Sequence, residues 1–209
     1  MESITGSSAG DVAVFVGILM MSVVVHEVSH GFLARYLGDP TAEQAGRLTL
    51  NPIKHLHPIG SVLLPAALAV IGAPIFGWAR PVPVNPQYFR QPTYGMAAVA
   101  LVGPLSNLAI AVVAGRLILP LVSGIGEVLV FGVVFLNLLL AVFNMIPIPP
   151  LDGSKLIPIF LTDRGRLLFY RYGQFGVLFL LAALLLGDSP FADMLLGAVT
   201  WLLPLTGMQ

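Results

Sequence analysis

Three stretches of the chain are almost free of charge, and each has the length of a membrane span. Residues 12–37 stay apolar until His26, Glu27, His30 and Arg35, and Gly38-Asp39-Pro40 ends the run; residues 96–120 and 128–147 form the second and third. A crossing helix needs about 20 mostly apolar residues at roughly 1.5 Å of rise each, so all three are expected to span. The region 172–205 carries two shorter apolar runs, 172–187 and 191–205. Together these predict an all-α polytopic membrane protein with about five transmembrane helices.

The stretch 58–79 is also uncharged, yet Pro65, Gly72, Pro74 and Gly77 interrupt it. Such a segment fits a broken or re-entrant path shielded by protein better than a straight lipid-facing helix. Arg80-Pro81-Val82-Pro83-Val84-Asn85-Pro86 follows, and its alternating prolines and valines favour an extended edge. The region 58–95 is therefore expected to hold the re-entrant segment and a short β-hairpin-like element at the membrane surface. No repeat, long linker or low-complexity tract divides the chain, so residues 1–209 read as one membrane-embedded domain. The first eleven residues hold no Lys or Arg, so no cleavable signal peptide is expected.

Composition sharpens this picture. Hydrophobic residues make up 57% of the 209 and charged residues 10%, and a mean hydropathy of +0.92 excludes a water-soluble domain. Ten Lys+Arg balance ten Asp+Glu, and the basic residues are scattered, which leaves no footprint for nucleic acid. With no cysteine in the chain, disulfides, thiolate zinc sites and iron–sulfur clusters are excluded, and any metal must be held by His and carboxylate. Each polar residue inside an apolar run costs free energy unless partnered, which makes these residues the place to look for function.

His26-Glu27-Val28-Ser29-His30 is such a place. On a helix, residues four apart share a face one turn apart, so the two imidazoles can bind one cation. Glu27, rotated by about 100°, can stand beside the ion as general base for a metal-activated water. The competing reading is a pair of buried histidines hydrogen-bonded within a bundle. Catalytic zinc usually takes three protein ligands, and Asp152 is the best third donor. It lies in the turn 148–156, after Asn144-Met145-Ile146-Pro147-Ile148-Pro149-Pro150-Leu151; as an alternative it is an ordinary carboxylate at a helix start.

The pairing of His26-Glu27-Val28-Ser29-His30 with Leu151-Asp152-Gly153 resembles the site-2 protease family of intramembrane zinc metallopeptidases. Gly103-Pro104-Leu105-Ser106-Asn107 is similar to that family's Gly-Pro-x-x-Asn element, and the run from Asn144 to Gly153 to its downstream signature. The resemblance implies one Zn²⁺ per chain held by His26, His30 and Asp152, Glu27 as catalytic base, and membrane-spanning protein substrates in the lipid bilayer. A PDZ or nucleotide-sensing domain of the kind some relatives carry is not expected in this chain.

Asn107 and Asn144 are candidates for binding a substrate carbonyl or the developing oxyanion, with interhelical hydrogen bonding as the alternative. Val82 and Val84 are candidates for holding an unwound substrate by strand addition. His55 and His57 are read as surface residues beside the site, with a role as spare ligands the lesser alternative. His30 and Asp152 share one membrane face only if 58–79 re-enters. Nine basic residues then fall on one side and Arg116 alone on the other, which predicts an external amino terminus and a metal site near the cytoplasmic face. A membrane transporter or a non-catalytic metal-binding scaffold is the alternative function.

Overall fold

The computed structural model describes residues 9–63, 67, 79–173, 175–185 and 190–208. Among the described residues, three helices are long and apolar enough to cross a membrane: Ala13–Tyr36 within the helix Ala9–Tyr36, Pro92–Leu121, and Ile125–Asn144. The chain is thus a multi-pass integral membrane protein by the length and composition of its helices. The two later runs are shorter than a span. They form Gly176–Leu185, of 10 residues, and Pro190–Leu202, of 13, continued by a 3-10 turn Leu203–Thr206. Among the described residues the all-helical architecture thus holds three span-length helices and shorter apolar ones toward the C-terminus.

The three spans pack side by side. Ala34 in the last turn of the first helix clusters with Val99 and Met96 in the first turns of the second, while Ser22, deeper in the first, meets Asn107. These two helices are therefore antiparallel, and the chain between them leaves and returns at one end. The third helix runs parallel to the first, since Gly132 faces Phe15 and Ile18 and Asn137 faces Ser22. Its end at Asn144 consequently lies at the same end of the bundle as Tyr36. Ala111, Ala114, Val130, Val134, Leu138 and Val199 form the apolar core between the second and third spans and the last helix.

Between the first two spans, Pro58–Leu63 forms a single π-helical turn. The rest of the segment expected to break and re-enter, 64–66 and 68–78, lies outside the described residues. The β-hairpin-like element is not formed: the described residues contain no strand. Its backbone is held by side chains instead of a ladder. Pro81 and Pro83 have no N–H to give. The Val82 N–H goes to Glu27 Oε2 at 2.8 Å, and that of Asn85 to Asp39 Oδ2 at 2.6 Å. On the carbonyl side, the buried Arg47 donates to Lys54 O at 2.5 Å, to Pro81 O at 3.3 Å and to Arg80 O. Gly31 makes room for this strap, because a Cβ there would stand 2.5 Å from Leu48 and 3.0 Å from Val82.

Candidate metal centre

His26 and His30 lie one turn apart on the first span, and both are buried, at 5% and 7% exposure. Asp152, also 5% exposed, opens the 3-10 helix Asp152–Phe160 after the third span. Gly153 lets that helix start against the preceding turn, where a side chain would overlap the Met145 carbonyl. The carboxylate is thereby delivered to the imidazoles: Asp152 Oδ2 is 3.0 Å from His26 Nε2 and 3.2 Å from His30 Nε2. The two Nε2 atoms are 3.0 Å apart. Among the described residues this is the cluster of His and carboxylate able to hold a metal.

The outer nitrogens decide what this triangle is. His30 Nδ1 lies 2.6 Å from Val99 O, and His26 Nδ1 lies 2.6 Å from Asn107 Oδ1. Both partners are acceptors, so each Nδ1 carries a hydrogen, and in a neutral ring the Nε2 then presents a lone pair. Two nitrogen lone pairs and a carboxylate oxygen point at one another, an arrangement that repels unless a cation sits among them. A tetrahedral ion with bonds of about 2.05 Å separates its ligands by about 3.3 Å, close to the spacings found. The donor set thus fits zinc, with both imidazoles oriented by hydrogen bonds on their far side.

Two neighbours complete the frame. Gly103 on the second helix is where that helix touches the imidazoles, since a Cβ there would lie 2.5 Å from His30 Nε2 and 2.7 Å from His26 Cε1. Lys155 Nζ donates to Asp152 Oδ1 at 2.7 Å, leaving Oδ2 to the histidines. Burial disfavours the charged form of the Asp152 carboxyl, while the Lys155 ammonium at Oδ1 favours it.

Glu27 is half-buried beside the triad and outside it, its carboxylate held by the Val82 N–H. Val82 is buried and Val84 half-buried on the same strap. Asn107 is fully buried against His26. Asn144 back-bonds Leu140 O of its own helix at 3.0 Å. His55 lies outside the triad, 2% exposed and bonded to Thr49 O at 2.9 Å, so it is interior and not a surface residue. His57 likewise stays outside, its Nδ1 accepting from Gly60 N at 3.0 Å. The sequence reading passed over Asn137, a fully buried amide bonded to Asn107 at 2.8 Å; its signal was a lone polar side chain in the apolar run 128–143. Arg47 was missed too, because a charge count treats every arginine as solvated.

Two imidazoles and a carboxylate, with a second carboxylate alongside, make up the donor and base set of a zinc peptidase. Comparison with known proteins agrees. The model of peptidase family M50 matches residues 120–187, the stretch that holds Asp152. A Bacillus subtilis protein named "Putative zinc metalloprotease YwhC" is 43% identical over 150 residues, covering 66% of this chain and 65% of that protein. Two proteins named "Putative zinc metalloprotease Rip2" align more fully. The one from Mycolicibacterium smegmatis is 31% identical over 95% of this chain and 77% of its own length. Its counterpart from Mycobacterium tuberculosis H37Rv is 32% identical over 91% and 73%. The chain belongs to peptidase family M50, the site-2 protease family of zinc metalloproteases. It spans just under two thirds of the Bacillus relative. No solved structure matches it.

Proposed function

We propose that the chain is an intramembrane zinc endopeptidase: one membrane-embedded domain, binding one Zn²⁺ per chain through His26, His30 and Asp152, that hydrolyses peptide bonds of transmembrane proteins. The observation that carries this reading is the convergence of three acceptor atoms within 3.0 to 3.2 Å, two of them on the first span, with Glu27 one position from the first ligand. Zinc held there supplies Lewis-acid activation of water and of a peptide carbonyl.

Glu27 is the proton carrier. Its carboxylate takes a proton from the attacking water and returns it to the leaving amine, a role worth roughly 10²–10⁴-fold in rate. The Val82 N–H at Oε2 keeps the carboxylate aimed while it does so. A helical substrate hides its amides in hydrogen bonds to the fourth preceding residue, so it must unwind locally before attack. The Val82–Val84 strap, anchored by Arg47 and Asp39 and unpaired with any strand among the described residues, suits such a segment as a pairing edge. Asn144 is assigned to donate its amide to a substrate carbonyl in place of Leu140 O. The orientation inferred from the basic residues sets the amino terminus outside and the metal near the cytoplasmic face.

The test is reconstitution. Purified protein in liposomes with a single-span substrate should cleave it only when zinc is present, and should pass no ions. Zinc binding with ion flux and no cleavage would favour a transporter instead.

A further inference from the structure

Asn107 and Asn137 are completely buried amides on neighbouring spans, and Ser22, 5% exposed, lies between them on the first. Their hydrogens can be placed without ambiguity by starting from the backbone. Val133 O can only accept, so the end of Asn137 that lies 2.8 Å from it is the NH₂ group, whose second hydrogen goes to Ser22 Oγ at 2.9 Å. Ser22 in turn donates to Ile18 O at 2.8 Å. The other end of Asn137 is therefore its Oδ1, which accepts from Asn107 Nδ2 at 2.8 Å. The second Asn107 hydrogen faces Ser22 O at 3.3 Å. Only Asn107 Oδ1 is left, and it meets His26 Nδ1 at 2.6 Å. Flipping either amide would set N–H against N–H and oxygen against oxygen inside an apolar bundle, which costs the desolvation of each unpaired group.

We infer that Asn137 and Ser22 form a buried relay which, through Asn107, fixes His26 as its Nδ1–H tautomer and so turns the Nε2 lone pair toward the metal. Asn107 is then a positioning residue: both of its donor hydrogens are spent inside the relay, and it has none to offer a reacting carbonyl. The relay ties all three spans to one ligand, so the polarity of a carbonyl on the third helix decides which nitrogen of a ring on the first carries the hydrogen. This inference rests on the zinc reading of the triad.

The test uses full-length protein in detergent, stripped of metal, with zinc affinity measured by competition against a chromophoric chelator. Imidazole ¹⁵N shifts in the metal-free protein, followed to a pH at which the rings are neutral, report which His26 nitrogen carries the hydrogen. Asn107→Leu should weaken zinc binding roughly 10- to 100-fold. Asn137→Leu, which removes the far end of the relay without touching His26, should weaken it in the same direction and shift the His26 hydrogen toward Nε2. Asn107→Asp preserves volume and the acceptor for His26 while lacking the Nδ2 donors, so it should keep Nδ1–H and most zinc affinity, at a stability cost read by thermal unfolding because its second oxygen faces Asn137 Oδ1 and Ser22 O. Cleavage then separates the two roles for this side chain: activity retained in Asn107→Asp supports positioning. Wild-type zinc affinity in Asn107→Leu with lost cleavage would overturn the inference in favour of a direct contact with substrate. An unchanged His26 tautomer and unchanged affinity in Asn137→Leu would overturn it as well. Asp152→Asn in the same titration separates the two levels, since affinity indifferent to Asp152 would withdraw the triad reading itself.

Discussion

Replacing Gly103 by alanine should loosen the metal site by pressing a methyl group onto both imidazoles. The added Cβ would lie 2.5 Å from both His30 Cε1 and His30 Nε2, and 2.7 Å from His26 Cε1. Carbon atoms in contact sit about 3.5–4.0 Å apart, so each ring must retreat by roughly 1 Å or the second helix must move away by as much. Either route stretches the His30 Nδ1 to Val99 O and His26 Nδ1 to Asn107 Oδ1 bonds, both 2.6 Å, that aim the rings. Overpacking of this kind costs about 1–3 kcal/mol, and the usual Gly→Ala helix gain is not available before Pro104, whose ring crowds a preceding Cβ. Metal-free stability should consequently fall by about 1–3 kcal/mol. Zinc affinity should fall by at least about tenfold, because loss of ligand orientation costs about 10- to 100-fold. Cleavage should fall by about 100-fold, the order expected from a 1 Å misplacement. Thermal unfolding of metal-free protein, chelator competition and a reconstituted cleavage assay measure the three. Wild-type zinc affinity in Gly103→Ala would refute the claim that the second helix positions the imidazoles by direct contact.

Three further outcomes are expected. Asp152→Asn keeps volume but removes the charge opposite the ion and should lower zinc affinity at least about tenfold, with Asp152→Glu retaining more metal yet cleaving poorly; metal analysis beside a cleavage assay reads both. Arg47→Met leaves the Lys54, Arg80 and Pro81 carbonyls without their buried donor, so stability should drop by about 2–4 kcal/mol and cleavage should fall with zinc content unchanged, as unfolding curves and metal analysis would show. Cysteines introduced at Ser7 and Arg164, in a chain without thiols, should label from opposite sides of the membrane in intact cells, and one at Asn85 should match Arg164.

What could be read from the sequence was local or followed by elimination. His26, Glu27 and His30 declare themselves by spacing on one helical face, and the absence of cysteine directs the search for a third donor to Asp152, which the structure brings to them. The three spans were legible because length and charge depletion suffice to define them. The C-terminal runs, read as shorter than the first three, form short helices among the described residues. Alternating prolines around Val82 and Val84 suggested a hairpin, whereas the N–H groups of Val82 and Asn85 are claimed by Glu27 and Asp39, side chains 46 residues or more away in the chain. Distance in sequence hid Asn137 and Arg47 in the same way. Their roles depend on which carbonyl or amide lies opposite, and neither periodicity nor composition carries that information.

Glu27 moving protons beside a metal that three other residues hold is the centre of the proposed chemistry. Glu27→Gln tests it in one paired measurement on purified protein, zinc per chain together with cleavage of a single-span substrate in liposomes. The expected result is about one zinc per chain, as in the unaltered protein, with cleavage reduced by at least about 10²-fold. Zinc lost along with activity would make Glu27 a ligand, and cleavage persisting at the unaltered rate would remove it from the chemistry altogether.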